Sequence, residues 1–175
     1  TWINRSKQSL ALDLKQDEAM QALLQLLEGA DVLVQNLAPG AAARMGLSYA
    51  ALRERFPRLI VCYISGYGAD GPYRDKPAYD QIVQGLSGAM ATTGDAQSGP
   101  LRAGYPISDT VAGLNAAFAI AAALLQRERE PYAGRGGQLI DVSMLDATLS
   151  IMGWATSNWL IAGQKPVLMG NDNFT

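Results

Sequence analysis

The sequence predicts an α/β fold with a mostly parallel sheet and flanking helices. Three observations carry that expectation. Strand-like and helix-like segments alternate along the chain. The run Leu59-Ile-Val-Cys-Tyr-Ile64 is apolar without alternation, as in a strand buried on both faces. A long Gly/Pro-rich loop, residues 65–78, follows that strand where α/β proteins bind ligands.

The elements follow in order. Residues 9–14 alternate apolar and polar only in part and predict a short strand. In residues 16–29, Met20, Leu23, Leu24 and Leu27 fall on one helical face, with Gly29 as the closing residue. Residues 31–35 read as a short apolar strand, and Asn36-Leu-Ala-Pro-Gly40 as turn chemistry. Residues 41–46 and 48–56 predict two short helices, the second capped by Ser48. After the strand at 59–64 and its loop, residues 79–90 predict a helix. A second Gly/Ser/Pro-rich loop fills 91–106. A long Ala-rich helix is expected over 110–129, a turn over 130–137, a strand over 138–142 and a last helix over 143–162.

Composition narrows the chemistry. The chain has 175 residues, 49% of them hydrophobic, and a net charge of -2, which excludes a disordered polypeptide. The acidic balance and lack of a Lys/Arg cluster argue against a nucleic-acid surface. A single cysteine, Cys62, forms no internal disulfide. No histidine is present, which removes Ser-His-Asp and Cys-His catalysis and the commonest metal ligand, so no metal site is expected. Carboxylates, Lys, Arg, Tyr, Ser/Thr and backbone remain. No targeting signal stands out. The longest small-apolar stretch, residues 111–125, falls short of the roughly 20 residues of a membrane span and contains Asn115, so a buried core helix is expected. The absence of an initial Met and of a terminal helix predicts a piece of a larger protein.

Two local features bear on function. Gly66-Tyr-Gly-Ala-Asp-Gly71 spells a dinucleotide fingerprint after a strand, but Pro72 and Pro77 follow where its helix would have to begin. A loop over the sheet edge is the better reading. Asp109 stands at the start of the long apolar helix. It can serve there as a helix cap. The cap is the favoured reading of this feature alone; the same helix terminus also favours the ionised form, and an ionised carboxylate is a nucleophile.

An ordered set of segments resembles the family III CoA-transferases, the CaiB/BaiF family. It runs from Asn4-Arg-Ser-Lys-Gln-Ser-Leu-Ala-Leu-Asp-Leu-Lys15 and Asp31-Val-Leu-Val-Gln-Asn-Leu-Ala-Pro-Gly40 through Arg44-Met-Gly46 and Phe56-Pro-Arg-Leu-Ile60. Ser65-Gly-Tyr-Gly-Ala-Asp-Gly-Pro-Tyr73, Ala78-Tyr-Asp-Gln-Ile-Val-Gln84 and Ile107-Ser-Asp109 follow, and Gly134-Arg-Gly-Gly-Gln-Leu-Ile-Asp-Val-Ser-Met-Leu-Asp-Ala147 closes it. The resemblance implies a Rossmann-like sheet that forms part of a large, CoA-binding catalytic domain across residues 1–175. The first strand and the small domain of that family are then expected outside this sequence.

The resemblance also implies a chemistry. Asp109 matches the catalytic aspartate, which takes the acyl group of an acyl-CoA as a mixed anhydride and passes CoA to an acid acceptor. Backbone N–H groups near the helix start are the expected oxyanion donors. Leu12, Lys15, Asn36, Leu37, Arg44 and Met144 match CoA-contacting positions. Asp80 matches an acidic position near the active site. Acyl-CoA and a carboxylic acid are the implied substrates, succinyl-CoA being a donor by analogy, with no tightly bound cofactor. A cytoplasmic, interlocked homodimer is implied for the parent protein. α-Methylacyl-CoA racemases share the fold and need a base that those relatives supply as histidine; here the position is Tyr79, and a phenol is a poor base at neutral pH. A racemase-like enzyme and a non-catalytic CoA-binding fragment are the alternatives.

Overall fold

The uninterrupted apolar run becomes the middle of the sheet. The computed structural model describes residues 2–129 and 136–172. Three parallel strands lie in the order β1 (Val32–Gln35), β2 (Ile60–Ser65), β3 (Leu139–Ser143). Val32 pairs with Ile60, and Val61 with Leu139. Ile60, Val61 and Cys62 are fully buried because β2 has a strand on each side and helices on both faces. The expected α/β class and parallel sheet are borne out.

Successive β2 side chains point to opposite faces and feed two cores. Val61 and Tyr63 pack with Leu27 of α1 (Asp17–Glu28), Ala42 of α2 (Ala41–Arg44) and Leu52 of α3 (Tyr49–Arg55). Ser48 caps α3, its hydroxyl accepting from Ala51 N–H at 3.3 Å. Cys62 and Ile64 pack on the other face. There they meet Val83 of α4 (Asp80–Leu86), Ala112 and Ala116 of α5 (Ile107–Arg129), and Met144 and Ala147 of α6 (Met144–Ile151).

Several boundaries differ from expectation, each for a physical reason. Residues 9–14 form no strand: no neighbouring strand pairs with them, and most are exposed. Asp13 instead folds back on Lys15 N–H at 3.2 Å, starting a turn. The helix expected over 79–90 stops at Leu86, and a 3-10 turn, Ala89–Thr92, follows Gly88. The last helix is two, α6 and α7 (Gly153–Ala162), because the chain turns at Met152-Gly153. The long helix starts at Ile107 rather than 110 and runs for 23 residues. It is long and apolar enough to cross a membrane by length and composition, yet only 22% of its most apolar stretch is buried. It is therefore not the fully buried core helix expected. A stripe of Ser108, Ala112, Ala116, Ala123 and Arg127 is covered, while Leu114, Phe118 and Leu125 on the opposite face are exposed. Most of the turn expected over 130–137 lies outside the described residues.

The glycine-rich loop after β2 has a structural cause. A Cβ on Gly66 would come within 2.2 Å of the Ala78 Cβ, and Gly68 and Gly71 have φ of +80° and +88°. These glycines serve close approach and left-handed turns, and the next α-helix begins only at Asp80.

Candidate active site

Four backbone N–H groups open every α-helix without an intrahelical partner. At the start of α5 the preceding Pro106 has no N–H, and the other three groups are committed. Ile107 N–H donates to Tyr105 O at 2.8 Å, and Thr110 N–H makes the first helical bond, to Pro106 O at 3.1 Å. Ser108 and Asp109 N–H both donate to Asp80 Oδ1, at 2.8 and 3.3 Å. The cap of α5 thus comes from the first residue of α4, and Asp109, third in its helix, is not the cap. The expectation that N–H groups here are free oxyanion donors is corrected for the same reason.

This arrangement changes the electrostatics of Asp109. Partial desolvation pushes its carboxyl above the ordinary carboxylate value, and the negative charge of Asp80 pushes it further in the same direction. Helix-terminal stabilisation does not dominate, because Asp80 absorbs two of the donors that would deliver it.

The carboxyl lines a cavity of about 350 Å³. Of the residues expected to form a site, the cavity brings together Asn36, Leu37, Tyr79, Asp80, Asp109 and Met144. Each is placed by an element end. Asn36 follows β1 and donates from Nδ2 to Ile64 O at 2.8 Å, tying the ends of β1 and β2 together. The Leu37 N–H donates to Gln35 Oε1 at 2.7 Å, which turns the loop. Tyr79 precedes α4 and its side chain is largely exposed. Met144 opens α6 and is buried under the cavity floor, in contact with the core around Cys62.

Leu12, Lys15 and Arg44 do not line this cavity. Leu12 is half-buried and Lys15 exposed in the irregular segment before α1. Arg44 ends α2 and folds over the loop, its guanidinium reaching Pro39 O at 3.5 Å. A second cavity of about 360 Å³ shares Leu37, Ala38, Pro39 and Ser65 with the first and extends to Arg74 and Asp141. Asp109 lines the first and not the second.

Sequence reasoning missed two residues. Lys76 is the only cation among the described residues lining the Asp109 cavity; its ammonium lies 4.0 Å from the Tyr73 ring centre. Its position in a charged run, Arg74-Asp-Lys76, gave no signal. Gln84 is buried behind Asp80, and its spacing of four from Asp80 on a helix was the available signal. Ser108 Oγ is buried there too, without a hydrogen-bond partner.

Comparison with known proteins agrees with this architecture. The chain is 39% identical over 168 residues to a succinate–glutarate CoA-transferase of Agrobacterium fabrum, which covers 96% of the chain and 41% of the relative. It is 40% identical over 172 residues to an acetyl-CoA:oxalate CoA-transferase of Acetobacter aceti, covering 98% of the chain and 43% of that protein. The crystal structure of a CaiB/BaiF family protein from Brucella suis superposes with a TM-score of 0.89 at 33% identity, over 95% of this chain and 43% of that one. The chain thus spans about two fifths of the length of these relatives. The model of CoA-transferase family III matches residues 1–175, the whole of the sequence, and the chain belongs to that family.

Proposed function

We propose that the natural protein moves coenzyme A from an acyl-CoA to a carboxylic acid, with Asp109 as the nucleophile. The observation that carries this is the Asp109 carboxyl, free of the capping role and lining a cavity beside Asp80. Its raised proton affinity makes the ionised form a better nucleophile.

The reaction balances without a net proton. The Asp109 carboxylate attacks the thioester carbonyl; the C–S bond breaks, leaving an acyl-aspartyl anhydride and CoA thiolate. The thiolate attacks the aspartyl carbonyl, releases the donor acid and leaves an aspartyl-CoA thioester. The acceptor carboxylate attacks that thioester and expels the thiolate, forming a second anhydride. Attack of the thiolate on the acceptor acyl carbon releases the new acyl-CoA and restores Asp109. Each intermediate keeps the activation of the thioester, so no nucleotide hydrolysis is needed. Lys76 supplies positive charge opposite these anions.

The CoA moiety is assigned to Leu12, Lys15, Asn36, Leu37, Arg44 and Met144. Arg44 suits a phosphate because its fork leaves donors beyond the one facing Pro39. The relatives act on dicarboxylates by name, and we extend that acceptor class to this protein. A cytoplasmic homodimer belongs to the same reading and rests on the family alone. Tyr79 in place of a base disfavours a racemase.

The test is to mix the natural polypeptide carrying these residues with acyl-CoA and digest it for mass spectrometry. An acyl or CoA adduct on Asp109 is expected, and Asp109→Ala should abolish both adduct and transfer. Transfer retained by Asp109→Ala would refute the assignment.

A further inference from the structure

Gln84 is a buried amide that the chemistry above leaves without a task. It is 1% exposed, on the α4 face that packs beside Val83. Both of its ends are engaged. Its Oε1 accepts from Ala103 N–H at 2.8 Å, and its Nε2 donates to Asp80 Oδ2. The orientation is forced. A backbone N–H can only donate, so the oxygen end must face Ala103 and the NH₂ end must face Asp80. An NH₂ group can only donate in turn, so Asp80 Oδ2 must accept.

The other Asp80 oxygen holds the Ser108 and Asp109 N–H groups. One unbroken chain therefore runs from the 91–106 loop through Gln84 and Asp80 to the backbone of Asp109. Buried polar chains of this kind fix geometry when every member is satisfied. An apolar residue at 84 would fill the same space but leave Asp80 Oδ2 and Ala103 N–H without these partners.

We infer that Gln84 is a positioning residue for Asp109: by locking Asp80 as an acceptor, it holds the first turn of α5 at the setting from which the Asp109 carboxyl reaches its substrate. This rests on the reading of Asp109 as nucleophile. A displacement of about 1 Å at a reacting group can cost roughly a hundredfold in rate. Loosening this chain should therefore act on the chemical step and spare binding.

The experiment uses the natural polypeptide and three variants, at a temperature where circular dichroism shows each fully folded. Gln84→Met keeps the length and removes both hydrogen bonds. Gln84→Asn stays polar but is too short to span both partners, and it decides the matter if the Met variant fails to fold. Ser87→Ala is the control, since it removes a buried hydroxyl at the C-terminal cap of the same helix, one that donates to the Gln84 backbone oxygen. Either Gln84 variant should lose at least about tenfold in kcat and in the rate of adduct formation, with KM for acyl-CoA within about twofold. Ser87→Ala should keep its kcat. A folded Gln84 variant with unchanged kcat overturns the inference while leaving the transferase reading intact; so does a loss confined to KM, or an equal loss in the control. Absence of adduct and turnover in the unmutated protein sinks the transferase reading, and this inference with it.

Discussion

At Asp109 the surroundings of the carboxyl oppose folding. The folded chain holds its proton more tightly than an unfolded chain does, because of desolvation and Asp80. Above the raised value, ionising Asp109 therefore costs stability. As pH falls through that value the cost fades, and it is gone below the ordinary value of 3.8. Asp109→Asn should accordingly melt at a higher temperature than the unmutated chain at pH 7 while losing transfer. The two should converge near about pH 3, as read from thermal melts across pH. Ser108 offers a simpler case. Its buried hydroxyl has no partner, so Ser108→Ala should be neutral or stabilising by up to about 1 kcal/mol in urea titrations, although it neighbours Asp109.

Between elements, a tight approach lies just before β3. A Cβ on Gly137 would sit 1.6 Å from Leu59 O, so Gly137→Ala must push β3 away from β2. A loss of about 3 kcal/mol is expected in urea titrations. Which elements exist was largely legible from the chain. The apolar run of β2, the Leu face of α1 and the Ser48 cap are local signals that tertiary packing reinforces. The failures are also physical. Residues 9–14 carry a strand-like pattern, but a strand needs a partner, and no local pattern reveals one. The start of α5 was misplaced because its cap, Asp80, lies 29 positions from Asp109. The site was legible to the same extent. Asn36, Tyr79 and Met144, expected from the resemblance, line the Asp109 cavity; of the Gln84 contacts, the one to Asp80 follows from a helical spacing of four, while the one to Ala103 is created only by the fold.

Across the whole molecule, Arg127 links three regions. It is 7% exposed, pairs with Asp31 before β1 and donates to Arg58 O before β2, at 2.9 Å. The Asp31 carboxylate is open to water. Removing the two partners should therefore differ. Asp31→Ala removes the nearer of two counter-ions, leaving Arg127 the exposed Glu128 at 3.5 Å, and should cost about 2 kcal/mol, below the roughly 3–5 kcal/mol of a pair buried at both ends. Arg127→Met leaves two solvated carboxylates and the Arg58 carbonyl without its donor, and should cost about 1 kcal/mol. A double-mutant cycle in urea measures both. The bare face of α5 has a second consequence at this scale. With Phe118 78% exposed and Leu114 and Leu125 on the same side, the isolated chain should bind apolar dyes and self-associate in sedimentation. Phe118→Glu should reduce both without lowering the melting temperature.

The strand order also sets a sequence of events in time. Val32 meets its β2 partner 28 positions along the chain, whereas Val61 meets Leu139 only 78 positions on. Closing the longer loop costs about 0.9 kcal/mol more by chain statistics alone, and parallel pairings of this range form slowly. The first two strands and their helices can assemble while β3 is still unpaired. Asp109 shares its cavity with Met144 only once β3 and α6 dock, so the cavity is completed after the first two strands have paired.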